Sequence, residues 1–315
     1  MVSERPDDDV AAGPGPRHRL CVHSGLVRWS TSWWRLGLVI AVGAVVSWAT
    51  RWAVDDAFIT FRYSGNLAAG RGAVFNPGER VEGYTNFLWM LLNALAQRLG
   101  GDPLTSAQVV GVAAYVGLGV AAVVLARRVL GDGGLVVVGL LLVAGNGSGR
   151  RFATSGMETT LVAALSVGAV VLLTTDGGWA RRTGPLAGAS ALAGLAVLTR
   201  LDAGVVLAPW FVAWARHRRG DEAGGGAAVR PWTAVTGPAA LLVVPWLVWK
   251  VAYYGSLVPN TLTAKSNGVR WQMLVVGFGY VVAFALSYGL VVVVPRLGRL
   301  RGRWPARIGA RRARG

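Results

Sequence analysis

Apolar runs long enough to cross a lipid bilayer dominate this chain of 315 residues. Five runs approach the roughly 20 residues that a transmembrane helix needs, and three more are shorter. Hydrophobic residue types make up 53% of the chain and charged types only 15%, whereas about a quarter of a typical soluble domain is charged. We therefore predict an all-α, polytopic helical membrane protein with about eight transmembrane helices. The long runs are Leu36–Val54, Ala107–Ala126, Thr159–Thr175, Trp232–Tyr253 and Trp271–Val294, and the short ones are Gly133–Asn146, Leu186–Leu198 and Ala203–Ala215.

The basic residues predict how these helices are oriented. The formal charge is +17, from 32 basic and 15 acidic residues. The basic residues lie between apolar runs and not on one face of a soluble fold, so nucleic acid is not an expected partner. Eight crossings from a cytoplasmic N-terminus place 21 of the 32 basic residues inside, including Arg127-Arg128 and Arg181-Arg182. Because cytoplasmic loops favour Arg and Lys, we predict a multi-pass plasma-membrane protein with both termini cytoplasmic.

This orientation divides the chain into three parts. Residues 1–35 form a cytoplasmic segment, residues 36–295 the transmembrane domain, and residues 296–315 a basic cytoplasmic tail facing solvent or lipid headgroups. The polar residues before the first run disfavour a cleaved signal peptide. The first outer loop, 55–106, is long. Within it, Phe87–Leu99 is too short to span the bilayer comfortably and suits a helix lying at the membrane interface.

Two adjacent aspartates, Asp55 and Asp56, follow the first span on its predicted outer side. The residues after them are expected to form a helix that ends at Gly70. In one interpretation Asp55 caps this helix and Asp56 lies in its first turn, where the helix dipole favours a carboxylate. Capping needs only one acid, however, and repulsion between neighbouring carboxylates tends to raise the pKa of one of them, which suits a proton acceptor. Both interpretations stay open.

Two further outer segments carry acids and amides. Glu82, Tyr84 and Asn86 alternate, so in an extended segment they share one face; an ordinary polar loop is the alternative. Glu158 comes directly before the Thr159–Thr175 run and three residues after Ser155. That spacing is typical of a helix capping box, which we favour over a substrate-binding role for Glu158.

Charged residues also flank the last predicted spans on the outer side. Arg200 and Asp202 separate two short apolar runs, an arrangement typical of a shortened helix pair that lines a cavity. An ion pair between the two side chains explains them equally well. Asn260 and Lys265 follow the Trp232–Tyr253 run, and Lys265 is one of only two lysines in the chain. The ammonium group of Lys265 could bind a lipid-linked phosphate or anchor the loop to lipid headgroups.

The pattern of charges disfavours several function classes. The spans carry few charges away from their ends, unlike those of an ion or proton transporter. No zinc-ligand spacing, phosphate-cradling glycine loop or nucleophile elbow occurs in the sequence. Because the polar residues gather on the predicted outer face, a lipid-linked donor is a better fit than a water-soluble nucleotide donor.

These motifs occur in the order found in a known enzyme family. Asp55–Ile59 and the stretch from Phe75 to Asn86 resemble the polytopic class C glycosyltransferases (GT-C) of actinobacteria, and are most similar to the terminal β-(1→2)-arabinofuranosyltransferase type. Ser155–Thr159, Thr199–Gly204 and Tyr254–Thr261 match further parts of that pattern. The resemblance extends from about Trp52 to Lys265. One departure is Leu201, where the family usually has proline.

The resemblance implies transfer of a sugar, here arabinofuranose, from a polyprenyl-phosphate donor to a cell-envelope glycan outside the membrane, with membrane lipid as a further partner. It makes Asp55 or Asp56 the base that takes the acceptor hydroxyl proton, and Lys265 or Arg200 the cation that stabilises the departing phosphate. No cofactor is required, although a divalent cation on the aspartates is compatible with the sequence. Candidates for holding sugar hydroxyls are Glu82, Tyr84, Asn86 and Asn260, and further substrate-binding candidates are Arg62, Glu158 and Asp202.

A second hypothesis stands beside this one. Members of the family typically continue with more spans and an extracytoplasmic C-terminal domain. The alternative is therefore a truncated or non-catalytic membrane protein of the same fold that acts in the cell envelope or in flagellar function.

Overall fold

The computed structural model describes residues 33–130, 147–175, 178–222, 229–260 and 271–287. Within these ranges the chain forms helices, turns and loops and no strand, which confirms the predicted all-α class. The predicted cytoplasmic segments before residue 33 and after residue 295 lie outside the described residues. The helices are α1 Trp33–Ala49, α2 Asp56–Ala68, α3 Phe87–Arg98, α4 Pro103–Leu130, α5 Gly147–Ala153, α6 Thr159–Leu173, α7 Thr183–Thr199, α8 Ala203–Glu222, α9 Val229–Tyr254 and α10 Trp271–Ser287.

Seven of the eight predicted spans coincide with helices, and Gly133–Asn146 lies outside the described residues. Two stretches, Pro103–Arg128 and Arg230–Tyr254, are long and apolar enough to cross a membrane. In the most apolar 18 residues of each helix, only 28% and 17% respectively are buried within the protein. A core helix of a soluble protein would be mostly buried. The apolar helices α1, α6, α7 and α10 are shorter. The count of eight spans and the sidedness stay predictions.

Helix α7 lies in the middle of the bundle. It packs against α6 on one side and against α9 on another, while α6 also contacts α4 and α4 contacts α1. Helix α8 covers part of both α6 and α7. The contact between α7 and α9 is close because Gly194 has no side chain: a Cβ at this position would lie 3.0 Å from the Cα of Ala239.

Several predicted span boundaries differ from the helix ends, most of all at α8, which continues to Glu222 and not to Ala215. At α1 and α4, specific contacts explain the difference. Helix α1 ends at Ala49 and not at Val54, because the following residues bond to the segment before α6. Trp52 Nε1 donates to the carbonyl of Arg151 at 2.8 Å, and the N–H of Val54 donates to the carbonyl of Ser155 at 3.0 Å. Helix α4 begins at Pro103, four residues before the apolar run, because the carboxylate of Asp102 accepts the N–H of Thr105 at 2.8 Å. This bond lowers the pKa of Asp102.

The first predicted outer loop contains two helices that pack against each other, α2 and α3. The predicted helix after the two aspartates is confirmed as α2, and Gly70, at φ 74°, follows its end. The predicted helix Phe87–Leu99 is confirmed as α3. One face of α3 buries Trp89 and Met90, and the other exposes leucines such as Leu95. Its position at a membrane interface stays a prediction.

The two ends of the bundle differ in chemistry. At one end of the bundle, α1, α7 and α9 finish and α4, α6 and α8 start. We call this the polar end, because it carries the acidic residues Asp56, Glu82, Glu158 and Asp202. At the opposite end, Arg128 donates to the carbonyls of Val171 and Thr174 at the end of α6. The guanidinium of Arg127 lies 3.8 Å from the centroid of the Trp33 ring.

Candidate active site

Glu158 is a buried carboxylate at the start of α6, with a side chain only 1% exposed. One oxygen accepts a hydrogen bond from Nδ2 of Asn86 at 2.8 Å, and the other lies 3.1 Å from Nη1 of Arg200. The predicted capping box is wrong, because the side chain of Glu158 makes no cap bond. The hydroxyl of Ser155 instead accepts the N–H of Met157 at 3.2 Å within the preceding loop. The Glu158 carboxylate is therefore directed to other elements of the fold.

The guanidinium of Arg200 bridges two carboxylates at the turn between α7 and α8. Its Nε and Nη2 donate to the two oxygens of Asp202, each at 2.9 Å, and its Nη1 donates to Glu158. The predicted pairing of Arg200 with Asp202 is confirmed, and Glu158 is a third member. The Arg200 and Asp202 side chains are 38% and 65% exposed, so this part of the site is open to solvent. The guanidinium holds the pKa of Asp202 below its ordinary value.

Asp55 and Asp56 have different surroundings. The carboxylate of Asp55 accepts the N–H of Asp56 at 3.0 Å, which confirms the capping interpretation for Asp55. Asp56 is the exposed first residue of α2, and its side chain has no hydrogen bond or ion pair among the described residues. One turn later, the hydroxyl of Thr60 accepts from Nδ2 of Asn86 at 3.1 Å. Residues four apart share a helix face, so Asp56 lies on the face of α2 that leads to Asn86.

The loop before Glu158 is fixed by the packing of Gly156. This residue has φ 85°, and a Cβ there would lie 2.9 Å from the Cβ of Ala57 on α2. The carbonyl of Gly156 accepts Nε1 of the buried Trp89 at 3.0 Å. Nearby, Nε2 of Gln108 on α4 donates to the carbonyl of Thr154 at 3.0 Å. Helices α2, α3 and α4 thus determine the position from which Glu158 enters the site.

Glu82 forms a buried ion pair that sequence reasoning missed. Its Oε2 lies 2.9 Å from Nζ of Lys250 on α9, and the two side chains are 4% and 1% exposed. Burial raises the pKa of Glu82, and the ammonium group of Lys250 opposes that shift. The sequence does contain an indication of this ion pair: Lys250, one of the two lysines of the chain, lies inside an apolar run. An ionisable residue within a membrane segment is itself a sign of a functional site.

Tyr84 belongs to a cluster of tyrosines beside this ion pair. Its hydroxyl lies 3.2 Å from that of Tyr254 on α9, which donates to the carbonyl of Ala73 at 2.6 Å. The ring of Tyr84 packs edge-on against Tyr63 of α2, with ring centroids 4.9 Å apart. Burial raises the pKa of Tyr84 far above its ordinary value, so the hydroxyl stays protonated.

The other predicted site residues lie at the edge of this arrangement. The backbone N–H of the exposed Asn260 donates to the carbonyl of Glu82 at 3.1 Å, so Asn260 adjoins the ion pair. Arg62 is exposed and donates to the carbonyl of Phe75 at 3.2 Å. Lys265 lies outside the described residues. Within the described ranges, no group of three or more His, Cys, Asp or Glu side chains is placed to hold a metal ion.

Taken together, the polar end has a buried layer and an exposed layer. The buried layer consists of Thr60, Asn86 and Glu158, joined by hydrogen bonds. Arg200 extends from this layer to the surface, where Asp202 is exposed, and Asp56 is exposed at the start of α2. The arrangement presents an accessible carboxylate and a partly accessible cation on a rigid polar floor.

Comparison with known proteins confirms the resemblance seen in the motifs. The chain is 32% identical over 293 residues to a terminal β-(1→2)-arabinofuranosyltransferase of Mycobacterium tuberculosis (strain H37Rv), covering 82% of this chain and 42% of that protein. It is 30% identical over 270 residues to the protein of the same name from Corynebacterium glutamicum (strain ATCC 13032), covering 77% of this chain and 37% of that protein. The chain thus spans about two fifths of the length of these curated relatives. No family model and no solved structure matches it.

Proposed function

We propose that this protein is a membrane glycosyltransferase that moves a sugar from a polyprenyl-phosphate donor to a cell-envelope glycan on the extracytoplasmic face. Its similarity to two arabinofuranosyltransferases favours arabinofuranose as the sugar and supports the enzyme over a non-catalytic membrane protein. The observation that carries the proposal is the chain of contacts at the polar end. It runs from α2 through Asn86 and Glu158 to Arg200, and so joins three motifs of the family resemblance into one site.

Asp56 is the residue we assign as the catalytic base. Asp55 is already engaged in capping α2, whereas the carboxylate of Asp56 is exposed. In the proposed step the acceptor hydroxyl oxygen attacks the anomeric carbon of the donor sugar, and its proton passes to Asp56. The bond between the anomeric carbon and the phosphate oxygen breaks, and polyprenyl phosphate leaves with one additional negative charge.

A cation is needed where that charge develops. Among the described residues, Arg200 uses three of its five N–H groups on Glu158 and Asp202, which leaves two for a phosphate oxygen. Two carboxylates offset the charge of Arg200, and the exposed Asp202 is the one that a phosphate would displace. Lys265 is the second cation that we assign to this role.

The sugar is expected to contact the exposed layer of the site. Glu82, Tyr84 and Asn86 are buried and already have protein partners, so they form the floor beneath a bound sugar. Asn260 and Asp202 are exposed, so we assign them to the rim, where sugar hydroxyls would reach them. Arg62 is the exposed candidate on α2.

An apolar groove beside the site supports a lipid-linked donor. It is a shallow, open depression between α1 and α4, and most of its lining residues lie in the last part of α1, before Asp55 and Asp56 in the chain. The groove is lined by Ala44, Val45, Trp48, Ala49 and Val112.

Sugar transfer in reconstituted proteoliposomes tests the proposal. Wild-type protein supplied with decaprenylphosphoryl arabinose and an arabinan acceptor is expected to lengthen the acceptor. The variant Asp56→Asn is expected to lose about 100-fold or more of this rate. Asp102→Asn is the matched control, because Asp102 is an exposed capping carboxylate at the same end of the bundle and outside the site. Failure of the wild-type protein to transfer sugar from any lipid-phosphate donor would overturn the proposal.

A further inference from the structure

We propose that the buried ion pair between Glu82 and Lys250 is a positioning device, which locks residues 81–86 onto α9 and so sets where Asn86 meets Glu158. This inference rests on the proposed function for its effect on catalysis. The ion pair contributes to the floor of the proposed site, and neither of its members is assigned to the proton or to the phosphate. The inference gives a role to Lys250, the one charged residue in the run Trp232–Tyr253.

Stability alone does not account for this pair. Both charges are removed from water, and the Lys250 ammonium group otherwise faces the Trp246 ring, whose centroid is 5.2 Å away. Taking two ions out of water offsets most of their attraction, so apolar residues of similar size commonly stabilise a fold equally well. What the ion pair adds is registry, because a shift of the segment along α9 would separate the carboxylate from the ammonium group, which now lie 2.9 Å apart.

The segment around Glu82 is attached on two sides. On one side, the carbonyl of Glu82 accepts the N–H of Asn260, and Tyr84 meets Tyr254, so two further contacts join the segment to α9 and the residues after it. On the other side, the N–H of Gly83 donates to the Tyr63 hydroxyl on α2 at 2.8 Å. The segment therefore bridges α9 and α2.

Asn86 lies four residues after Glu82 and is the point at which this segment reaches Glu158. A shift of the segment along α9 would move the Asn86 amide away from the Glu158 carboxylate and from Thr60. Lys250 is fully buried, so it acts through Glu82 and not by touching a substrate. It is a positioning residue of the site.

The test compares broken and replaced ion pairs. The single variants Glu82→Leu and Lys250→Met each leave one buried charge unpaired, and each is expected to lower Tm by about 10 °C. The double variant Glu82→Leu/Lys250→Met removes both charges and is expected to recover most of that Tm. In the double variant, hydrogen exchange at residues 83–86 should nevertheless be about 10-fold faster than in the wild type. Its kcat should fall by about 100-fold, since a misplacement of about 1 Å can cost that much.

Ser190→Ala is the matched control, because the Ser190 hydroxyl makes a buried contact with the N–H of Ala239 of α9 at mid-bundle. It is expected to lower Tm slightly and to leave kcat and exchange at residues 83–86 unchanged. If the double variant does not fold, Glu82→Gln keeps the side-chain shape without the charge and is expected to show the same faster exchange. Wild-type kcat and wild-type exchange in a folded variant would overturn the inference. An inactive wild type would instead contradict the proposed function, while the exchange measurement would still test the positioning.

Discussion

The guanidinium of Arg200 lies 3.1 Å from the carboxylate of Glu158, a residue 42 positions earlier in the chain. This contact joins the start of α6 to the turn between α7 and α8, where the exposed Asp202 binds the same guanidinium. Three charged side chains from two loops thus form one cluster with a net negative charge. Its buried member, Glu158, depends on Arg200 for neutralisation.

Replacing Arg200 with alanine is expected to reduce the free energy of unfolding by about 1–3 kcal/mol. Removing the guanidinium leaves the buried carboxylate of Glu158 without a cation. Because Arg200 is partly exposed, the stability lost is smaller than for a fully buried ion pair. Asp202→Asn, which removes only the exposed partner, should cost less than about 1 kcal/mol. Thermal unfolding in detergent measures both, and equal losses would contradict the dependence of Glu158 on Arg200.

Substitutions at Asp55 separate capping from catalysis. Asp55→Ala removes the acceptor at the start of α2 and is expected to destabilise the protein by about 1 kcal/mol, whereas Asp55→Asn keeps a good capping side chain and should cost only a few tenths of that. If Asp56 is the base, Asp55→Asn also keeps sugar transfer. Loss of transfer at wild-type Tm in Asp55→Asn would move the catalytic role to Asp55.

Gly156→Ala is expected to be among the more damaging glycine substitutions. The new Cβ meets Ala57 at 2.9 Å, and φ 85° is unfavourable for alanine, so we expect a loss of about 2–4 kcal/mol. Gly78→Ala is the control, because Gly78 has φ 94° and no atom within 4 Å of the added Cβ. It should show the backbone strain alone, at about 1 kcal/mol. Similar unfolding temperatures for the two variants would show that packing against α2 is unimportant.

The ion pair of Asp202 predicts a pH dependence of stability. Hydrogen bonds from Arg200 lower the folded pKa of Asp202 below its ordinary value of 3.8. This group therefore contributes stability that is fully present above pH 3.8 and is lost as the pH falls through the folded pKa. Tm measured from pH 6 to pH 3 should decline less at the acid end for Asp202→Asn than for the wild type. Parallel curves would contradict this assignment.

Cysteine labelling tests the predicted sidedness. In a background with Cys21→Ser, which removes the single native cysteine, a cysteine at position 56 should react with a membrane-impermeant maleimide added to intact cells. A cysteine at position 219, exposed at the opposite end of the bundle, should react only after the cells are opened. Labelling in the reverse order would place Asp56 in the cytosol and exclude a lipid-linked donor on the outer face.

The sequence located the helices well because apolar runs and caps are local features. Both α2 and α3 were expected from the residues within them, and Gly70 ended α2 as predicted. The error at the end of α1 occurred because a distant segment competed for the backbone. Residues 50–54 leave α1 because they bond to residues 151–155, and nothing in the first run reveals that partner.

Individual site residues were identified from their motifs, but their roles depended on contacts across the chain. The pattern that predicted a capping box at Ser155 and Glu158 is local, and it was overridden because Arg200 and Asn86 bind that carboxylate. Lys250 was missed because a single lysine near the end of an apolar run is also compatible with an interfacial anchor. Only the placement of Glu82 against α9 shows that it is paired and buried.

By itself, the sequence determined the all-helical class, the gathering of acids and amides at the ends of particular apolar runs, and the resemblance to the arabinofuranosyltransferases. These follow from composition and from residues close together in the chain. Only the tertiary structure decided which charges are neutralised and which stay accessible: Glu158 is buried against Arg200, Glu82 against Lys250, and Asp56 stays exposed. The physical reason is that pairing and burial of a charge depend on side chains brought together from distant helices, which no local pattern encodes.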